Sequence, residues 1–246
     1  MIQQFLFDVD GTLTPSRGRI NEQFRLFMID FCEKYDCYIV TGSDQQKTVE
    51  QLGGYLYDRF KQQHQCSGNQ IFENTITKVY ESEWTLPTEV REYLKAIVER
   101  SIFPFKKGVH IEDRPGMVNF SIPGRGIDEL GRREYVHWDK NLAERESLAA
   151  QINSKFKHLN INAQIGGETG LDITPTGFDK SQTLNGIKGE VAFFGDACQE
   201  GGNDYPLAKA ILEKNQGTVY NVRDWNETYE ILQEIDNAIS SIRGEY

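Results

Sequence analysis

The sequence is short of long apolar runs and of positive charge, and both shortages exclude classes of protein. Its longest apolar stretches, Met1–Phe7 and Val191–Phe194, are far shorter than the roughly 20 residues that a membrane-spanning helix needs. Asp8 and Asp10 follow too early for a secretory signal. Lys and Arg number 27 against 37 Asp and Glu, a formal charge of −10, which disfavours duplex nucleic acid. We therefore expect a cytoplasmic protein without a membrane or nucleic-acid partner.

Cysteine is also scarce. The four cysteines have unrelated spacings and form no C-x-x-C pair, so they predict reduced core thiols rather than a metal knuckle or a disulfide scaffold. What remains is an ordinary globular composition, 38% hydrophobic and 26% charged, with enough apolar material for a substantial core. A length of 246 residues fits one large domain or two smaller ones. An acidic globular enzyme is the favoured class.

Short apolar strands alternate with helical patterns at both ends of the chain. The predicted strands are Ile2–Phe7, Tyr38–Val40, Val191–Phe194 and Thr218–Val222. The predicted helices lie around Phe24–Tyr35, from Ser43 or Asp44 to Leu52, from Asp179, over Pro206–Glu213 and from Trp225 onwards. This alternation predicts an α/β domain whose parallel sheet is covered on both faces.

The middle of the chain has another character. It predicts two helices, an antiparallel hairpin turning at Pro115-Gly116 and a strand pair broken at Gly166-Gly167; these elements are Pro87–Ser101, Asn141–His158, Val109–Ile122 and Ala163–Thr174. We therefore predict a catalytic core of residues 1–82 and 179–246, interrupted by an α+β cap domain of residues 83–178.

The strongest chemical signal is Asp8-Val9-Asp10-Gly11-Thr12, directly after the first strand. An aspartate at a strand end can attack phosphorus as a nucleophile, and a second aspartate beside it can move the proton of the leaving or attacking oxygen. An Asx turn is the alternative explanation of this segment.

Three further segments point to the same sheet edge. The hydroxyl and N–H groups of Thr41-Gly42-Ser43-Asp44 could hold phosphate oxygens, and Lys180 could neutralise a phosphoryl group. Gly195-Asp196 and Gly201-Gly202-Asn203-Asp204 supply the hard oxygen ligands that Mg²⁺ prefers. Each segment alone has an ordinary alternative, namely a helix cap, a surface charge or a turn. Their combination is far more specific.

The order and spacing of these four segments resemble the haloacid dehalogenase (HAD) superfamily of phosphotransferases. The resemblance implies a HAD-like Rossmannoid core with a type IIB-like α+β cap that closes over the substrate. It further implies Asp8 as nucleophile, Asp10 as general acid/base, and Ser43 and Lys180 as the residues that position the phosphoryl group. The implied Mg²⁺ ligands are Asp8, Asp10 through its carbonyl, Asp196, Asn203 and Asp204.

The predicted cap carries a run of arginines. Arg114, Arg125 and Arg132 lie within nineteen positions, and their guanidinium forks match phosphate oxygens. Surface ion pairs with nearby acidic residues are the alternative. Together with Arg17, the segments that carry these arginines are similar to eukaryotic-type phosphomannomutases, and the resemblance runs in one register over nearly the whole chain. The further matching segments are Ile165-Gly166-Gly167, Asp172 to Pro175, Gly177 to Lys180 and Phe193 to Asp204.

This resemblance implies an isomerase of mannose metabolism and GDP-mannose biosynthesis. It would interconvert mannose 6-phosphate and mannose 1-phosphate through an aspartyl phosphate, with Mg²⁺ as cofactor and a hexose 1,6-bisphosphate as activator. The implied substrate-binding residues are Arg17, Arg114, Asn119, Arg125, Arg132 and Asp172. A homodimer through the cap is implied by the resemblance as well.

Two departures from the family pattern leave the substrate open. Gly170 stands where the family has a serine two residues before Asp172, and Ser67-Gly68-Asn69-Gln70 stands in place of P-E-N-G. A phosphatase that hydrolyses hexose phosphates is therefore the alternative, and the preference between mannose and glucose phosphates is not decided. A catalytically silent phosphosugar-binding protein is disfavoured, because both Asp8 and Asp10 are retained.

Overall fold

The computed structural model describes residues 4–243, which form two compact units. Among these residues, the core unit comprises 4–80, Lys180–Gln199 and 204–243, and the inserted unit comprises Glu81–Asp179 with Glu200–Asn203. The α/β fold class is confirmed, whereas the domain boundaries predicted after residues 82 and 178 stay a prediction. The first residues of the predicted strand Ile2–Phe7 lie outside the described part. Within it, no helix is long and apolar enough to cross a membrane.

A seven-stranded sheet forms the centre of the core unit. Its strands are β1 (Gln4–Phe7), β2 (Asp36–Val40), β3 (Gln62–Gln65), β4 (Gln70–Phe72), β5 (Lys78–Glu81), β10 (Val191–Gly195) and β11 (Gly217–Asn221). The spatial order is β11-β10-β1-β2-β3-β4-β5. The pairs from β11 to β3 are all parallel, and β4 runs antiparallel to β3. The predicted parallel sheet is thus present and is extended by three strands that the sequence did not predict.

Both faces of this sheet are covered, as a buried parallel sheet requires. Phe5 and Phe7 of β1 belong to one apolar cluster and Leu6 belongs to another, as the two-residue period of a strand dictates. The helices of this unit are α1 (Glu22–Lys34), α2 (Gln45–Leu52), α3 (Gly54–Tyr57), α7 (Tyr205–Glu213), α8 (Trp225–Arg243) and a 3₁₀ helix (Lys180–Gly186). Helices α1 and α8 pack on the Phe5 face, and α7 and the 3₁₀ helix pack on the Leu6 face.

The inserted unit is a four-stranded antiparallel sheet with helices. Its elements are α4 (Thr88–Arg100), β6 (Ile111–Arg114), β7 (Met117–Phe120), α5 (Glu129–Leu142), α6 (Glu144–Lys155), β8 (Ile161–Gly166) and β9 (Gly170–Pro175). The strand order is β6-β7-β9-β8. Alternate strand residues such as Val118, Phe120 and Ile173 pack with Leu94 of α4 and Ile152 of α6 in one apolar cluster. One face of the sheet is therefore apolar and bears the helices.

The structure differs from the sequence expectations at three places. The helix predicted over Asn141–His158 is present as the shorter α6, but α5 before it was not predicted; Ala143, with a left-handed φ of 49°, separates the two helices. The helix predicted from Asp179 is a 3₁₀ helix. Strand β3 reads QQHQ, a polar run that shows no apolar alternation although three of its four residues are buried.

Candidate active site

Parallel pairing brings the ends of three strands to one edge of the core sheet. Phe7 of β1 pairs with Phe194 of β10 and with Ile39 of β2, so the residues that follow these strands leave the sheet side by side. The Asp8 N–H donates to the carbonyl of Phe194 over 2.9 Å, which fixes the backbone of Asp8 at this edge. Ligands in open α/β sheets bind at this carboxyl edge of the strands.

Lys180 joins two carboxylates inside this edge. Its Nζ donates to Oδ1 of Asp8 and to Oδ1 of Asp204, both over 2.6 Å. All three side chains are buried, and Lys180 is only 1% exposed. Burial alone would lower the pKa of Lys180, but the charges of Asp204 and Asp8 outweigh it and raise the pKa. The lysine is therefore a permanent cation at the centre of the site.

A third carboxylate completes an acidic cluster. Carboxylate oxygens of Asp8, Asp196 and Asp204 lie within 4.8 Å of one another. Burial raises the pKa of Asp8 well above its usual value; the Asp204 and Asp196 charges raise it further, and Lys180 only partly offsets them. Desolvation and the Asp204 charge raise the pKa of Asp196 to about 6. Because the crowded carboxylates are hard oxygen donors with an excess of negative charge, this part of the predicted ligand set fits Mg²⁺.

Asn203 is the remaining residue of the predicted ligand set. It is half-buried in the turn Glu200–Asn203, which groups with the inserted unit, and it directly precedes Asp204. Its predicted role as a metal ligand stays a prediction.

The carboxylate of Asp10 is held by polar groups on both oxygens. Oδ1 accepts from the Arg17 N–H over 2.6 Å and from Gln51 Nε2 over 2.9 Å. Oδ2 accepts from Lys47 Nζ and, more weakly, from Ser43 Oγ over 3.5 Å. Burial would raise the pKa of Asp10, but the Lys47 charge and these hydrogen bonds lower it. Asp8 and Asp10, two residues apart, thus have pKa values shifted in opposite directions.

Sequence reasoning missed Lys47 and Gln51. Both project from α2 one turn apart, and Asp44 caps that helix by accepting from the Lys47 N–H over 2.9 Å. Lys47 Nζ also donates to Ser43 Oγ over 3.0 Å. The i, i+4 spacing that follows the predicted Asp44 cap places both side chains on one helix face, and this is the signal that could have identified them.

The polar face of the inserted sheet carries two of the predicted substrate-binding residues, Asn119 and Asp172. Glu112, Asn119, Asp172 and Gln164 are cross-strand neighbours in one row over β6, β7, β9 and β8. Asn119 Nδ2 donates to Asp172 Oδ1 over 2.6 Å. Because strand residues alternate between faces, this row lies opposite the apolar face that packs on the helices. The row brings Asn119 and Asp172 together; their contacts with a sugar phosphate stay a prediction.

Each predicted phosphate-binding arginine of this unit has a carboxylate partner. Arg114 Nη2 and Arg125 Nε both donate to Oε2 of Glu112 over 2.7 Å. Arg132 Nη2 donates to Oε2 of Glu168 on the turn between β8 and β9. Glu112 is among the acidic residues of the alternative ion-pair explanation, and the structure shows that pairing; Glu168 was not predicted from the sequence.

Gly170 leaves room for the Asn119 side chain. A Cβ at position 170 would lie 2.9 Å from Asn119 Nδ2 and 3.0 Å from its Oδ1, closer than side chains pack. A serine at this position would therefore displace Asn119. The glycine at position 170 is therefore what allows Asn119 to take its present position in this chain.

Arg17 belongs to the core unit and has an exposed side chain. Its φ of 57° is left-handed, and that turn directs its N–H to Asp10. The predicted contact between its guanidinium and a sugar phosphate stays a prediction.

Comparison with known proteins decides the family. The sequence model described as eukaryotic phosphomannomutase matches residues 24–238. The chain belongs to the eukaryotic phosphomannomutase family. Among the phosphomannomutases to which it is similar, that of Spinacia oleracea is 34% identical over 82% of this chain and 84% of the relative. That of Saccharomyces cerevisiae is 32% identical over 94% of this chain and 93% of the relative.

Solved structures with the same fold are HAD-like phosphatases and hydrolases. An IMP-nucleotidase from Plasmodium falciparum matches with a TM-score of 0.63 and 16% identity over 96% of this chain and 68% of that chain. The C-terminal domain of trehalose-6-phosphate phosphatase from C. albicans matches with a TM-score of 0.61 and 14% identity, covering 87% and 75%. A haloacid dehalogenase-like hydrolase from Bacteroides thetaiotaomicron matches with a TM-score of 0.57 and 18% identity, covering 96% and 100%. At these identities the matches concern the fold, which confirms the predicted HAD-like architecture.

Proposed function

We propose that this member of the phosphomannomutase family interconverts mannose 6-phosphate and mannose 1-phosphate. The proposal rests on the different environments of two neighbouring aspartates. Asp8 is buried against Lys180, while Asp10 is held by a separate set of donors at the same strand end. A nucleophile and a general acid/base need different environments to perform different roles.

In the proposed reaction, an Asp8 oxygen attacks the phosphorus of a hexose 1,6-bisphosphate activator. A bond from Asp8 to phosphorus forms as the bond from phosphorus to the sugar oxygen breaks. That oxygen receives from Asp10 the proton that Asp10 removes from a sugar hydroxyl in the opposite half-reaction. In the reverse direction, Asp10 removes the proton of a sugar hydroxyl, which then takes the phosphoryl group from Asp8. Ser43 and Lys180 orient the phosphoryl oxygens and offset their charge. The sugar must bind in both orientations for net isomerisation.

Mg²⁺ is the proposed cofactor. Asp8, Asp196 and Asp204 would hold it, together with the Asp10 carbonyl and Asn203 predicted from the family pattern. When bound, the ion would neutralise the carboxylate cluster and polarise the phosphoryl oxygens. The raised pKa values of Asp8 and Asp196 support the need for such a cation.

The polar face of the inserted unit is the proposed site for the sugar and its non-reacting phosphate. Arginine forks bind phosphate bidentately without regard to which end of the sugar carries it. Such recognition suits a substrate that presents either end to Asp8. The proposed contacts on this face are Arg114, Asn119, Arg125, Arg132 and Asp172. The family pattern further predicts Arg17, a residue of the core unit.

A coupled assay tests the proposal against its alternative. Purified protein, Mg²⁺, mannose 1-phosphate and a hexose 1,6-bisphosphate should yield mannose 6-phosphate, and chelation of Mg²⁺ should stop the reaction. Steady release of inorganic phosphate without isomerisation would instead identify a hexose phosphatase. The HAD-like phosphatases of the same fold make this second candidate worth measuring. Parallel assays with glucose 1-phosphate give the sugar preference.

The family resemblance also supports a cytoplasmic place in GDP-mannose biosynthesis and a homodimer through the inserted unit. Sedimentation of the full chain tests the oligomeric state, and a monomer at micromolar concentration would reject the dimer.

A further inference from the structure

Two glutamates neutralise the arginines of the inserted unit, but they differ in exposure. Glu112 lies on β6 in the polar row of the sheet, accepts from two arginines and has a side chain that is 33% exposed. Glu168 lies on the turn between β8 and β9 and is 48% exposed, whereas its partner Arg132 is 16% exposed. Among the described residues, Arg132 is the only hydrogen-bonding partner of the Glu168 carboxylate.

The backbone around Glu168 is anchored although its side chain is not. Arg145 Nη1 donates to the carbonyl of Gly167 over 2.7 Å, and Ser121 Oγ donates to the carbonyl of Thr169 over 2.9 Å. The carbonyls on both sides of Glu168 are therefore fixed. Rotation of one exposed side chain separates the Glu168 carboxylate from Arg132 without any movement of the turn.

From this geometry we propose that Glu168 is a displaceable carboxylate that occupies Arg132 until a phosphate ester replaces it, and that it thereby lowers the affinity for the substrate. The inference rests on the proposed function, which assigns Arg132 to the sugar phosphate. Carboxylate and phosphate oxygens both match the guanidinium fork, so the two anions compete for the same donors. The displaced carboxylate is already half-exposed and returns readily to water.

Competition between the Glu168 carboxylate and a phosphate predicts the sign of the change in affinity when the glutamate charge is removed. A phosphate dianion that approaches Arg132 meets an ion pair of zero net charge in the present chain and a full positive charge when residue 168 is neutral. Removal of the Glu168 charge should therefore tighten binding. If Glu168 instead positioned Arg132 for phosphate, the same change should weaken binding.

The test is the dissociation constant of mannose 6-phosphate for the full chain, measured by calorimetry with Mg²⁺ chelated so that turnover does not interfere. Glu168→Gln keeps the size of the side chain and should tighten binding about threefold to tenfold at low salt, with a smaller gain at high salt. Glu168→Ala should act in the same direction. Thermal unfolding of both variants checks that the fold is retained.

Glu129→Gln is the matched control. It removes the same charge from α5, where the hydrogen-bonded partner Arg133 is 73% exposed and was not assigned to substrate; the Glu129 charge acts on Arg132 only more weakly than on Arg133. Its dissociation constant should stay within about twofold of that of the unmodified chain.

The outcomes separate the two proposals. Equal or weaker binding by Glu168→Gln overturns the inference while leaving the proposed function in place, provided that the unmodified chain binds and isomerises hexose phosphate. If neither protein binds mannose 6-phosphate, the inference and the proposed phosphate site both fail. Tightening by Glu129→Gln to the same extent would show a general charge effect and would also overturn the inference.

Discussion

The core unit and the inserted unit place their functional side chains in different ways. In the core unit, charged groups gather at the carboxyl edge of the parallel sheet and are enclosed by protein, so that Asp8, Lys180 and Asp204 depend on one another. In the inserted unit, polar side chains stand on one face of an antiparallel sheet and pair across strands or with partly exposed glutamates. Burial strengthens electrostatic interactions, whereas a partly exposed ion pair is weak enough that another anion can replace one partner.

This difference teaches what each unit contributes to the proposed reaction. A buried cluster of fixed charges can stabilise charge that develops during phosphoryl transfer. A partly exposed arginine set can accept and release a phosphate ester at modest affinity. Variants in the core unit should therefore change chemistry and stability, whereas variants in the inserted unit should change substrate affinity.

The largest expected effect is that of Asp8→Asn. The amide cannot attack phosphorus, so kcat should fall by about four orders of magnitude or more in the coupled mutase assay. Asp36→Asn is the control, because Asp36 begins β2 at the opposite edge of the sheet and forms an exposed ion pair with Lys61. Appreciable residual turnover in Asp8→Asn would reject the assignment of the nucleophile and weaken the contrast between the units.

The second effect concerns the stability of the enclosed charges. Lys180→Met leaves Asp8 and Asp204 buried without their shared cation, so the free energy of unfolding in chelator should fall by about 3–5 kcal/mol. Urea unfolding followed by circular dichroism measures this change. Lys61→Met removes a lysine from an exposed pair and should cost less than about 1 kcal/mol. A similar small loss in both variants would contradict the enclosed character of the core cluster.

A third prediction uses a buried histidine of the core unit. His64 is 2% exposed, neither ring nitrogen has a hydrogen-bonding partner among the described residues, and burial lowers its pKa to about 4. The unfolded chain, with a histidine pKa of about 6.5, binds this proton earlier as pH falls. Protonation of His64 therefore does not reduce the free energy of unfolding above about pH 6.5. As pH falls from about 6.5 to 4 that free energy decreases, and at pH 5 the decrease is about 2 kcal/mol.

His64→Gln should flatten this part of the stability profile. The difference in unfolding free energy between the variant and the unmodified chain should change by about 2 kcal/mol from pH 7 to pH 5. Carboxylates with raised pKa values affect both proteins equally and cancel in that difference. His158→Gln, at an exposed position of the inserted unit, serves as control. Parallel pH profiles for all three proteins would mean that His64 titrates as it does in the unfolded chain.

The same contrast explains how much could be predicted from the sequence. Asp8 and Asp196 were identified because an apolar run stops abruptly at each, and adjacent parallel strands must deliver their ends to one edge. Glu112 could be named as an ion-pair partner because it lies two residues before Arg114 on the same strand. Glu168 was missed because its pairing with Arg132 joins residues 36 positions apart, which a local pattern does not contain. Lys47 was missed for a different reason, since a lysine on a predicted helix is usually a solvated charge.

The smallest expected effect lies in the inserted unit. Arg125→Lys keeps the positive charge but loses the guanidinium fork, which contacts Glu112 and which would bind the substrate phosphate under the proposed function. We therefore expect KM for mannose 1-phosphate to rise about tenfold while kcat stays within about twofold. A tenfold change corresponds to about 1.4 kcal/mol, well below the effect of Lys180→Met. Arg133→Lys, on the exposed side of α5, should leave both constants unchanged. A fall in kcat with constant KM for Arg125→Lys would show that the inserted unit acts on the chemical step, and the proposed separation between binding and chemistry would then have to be abandoned.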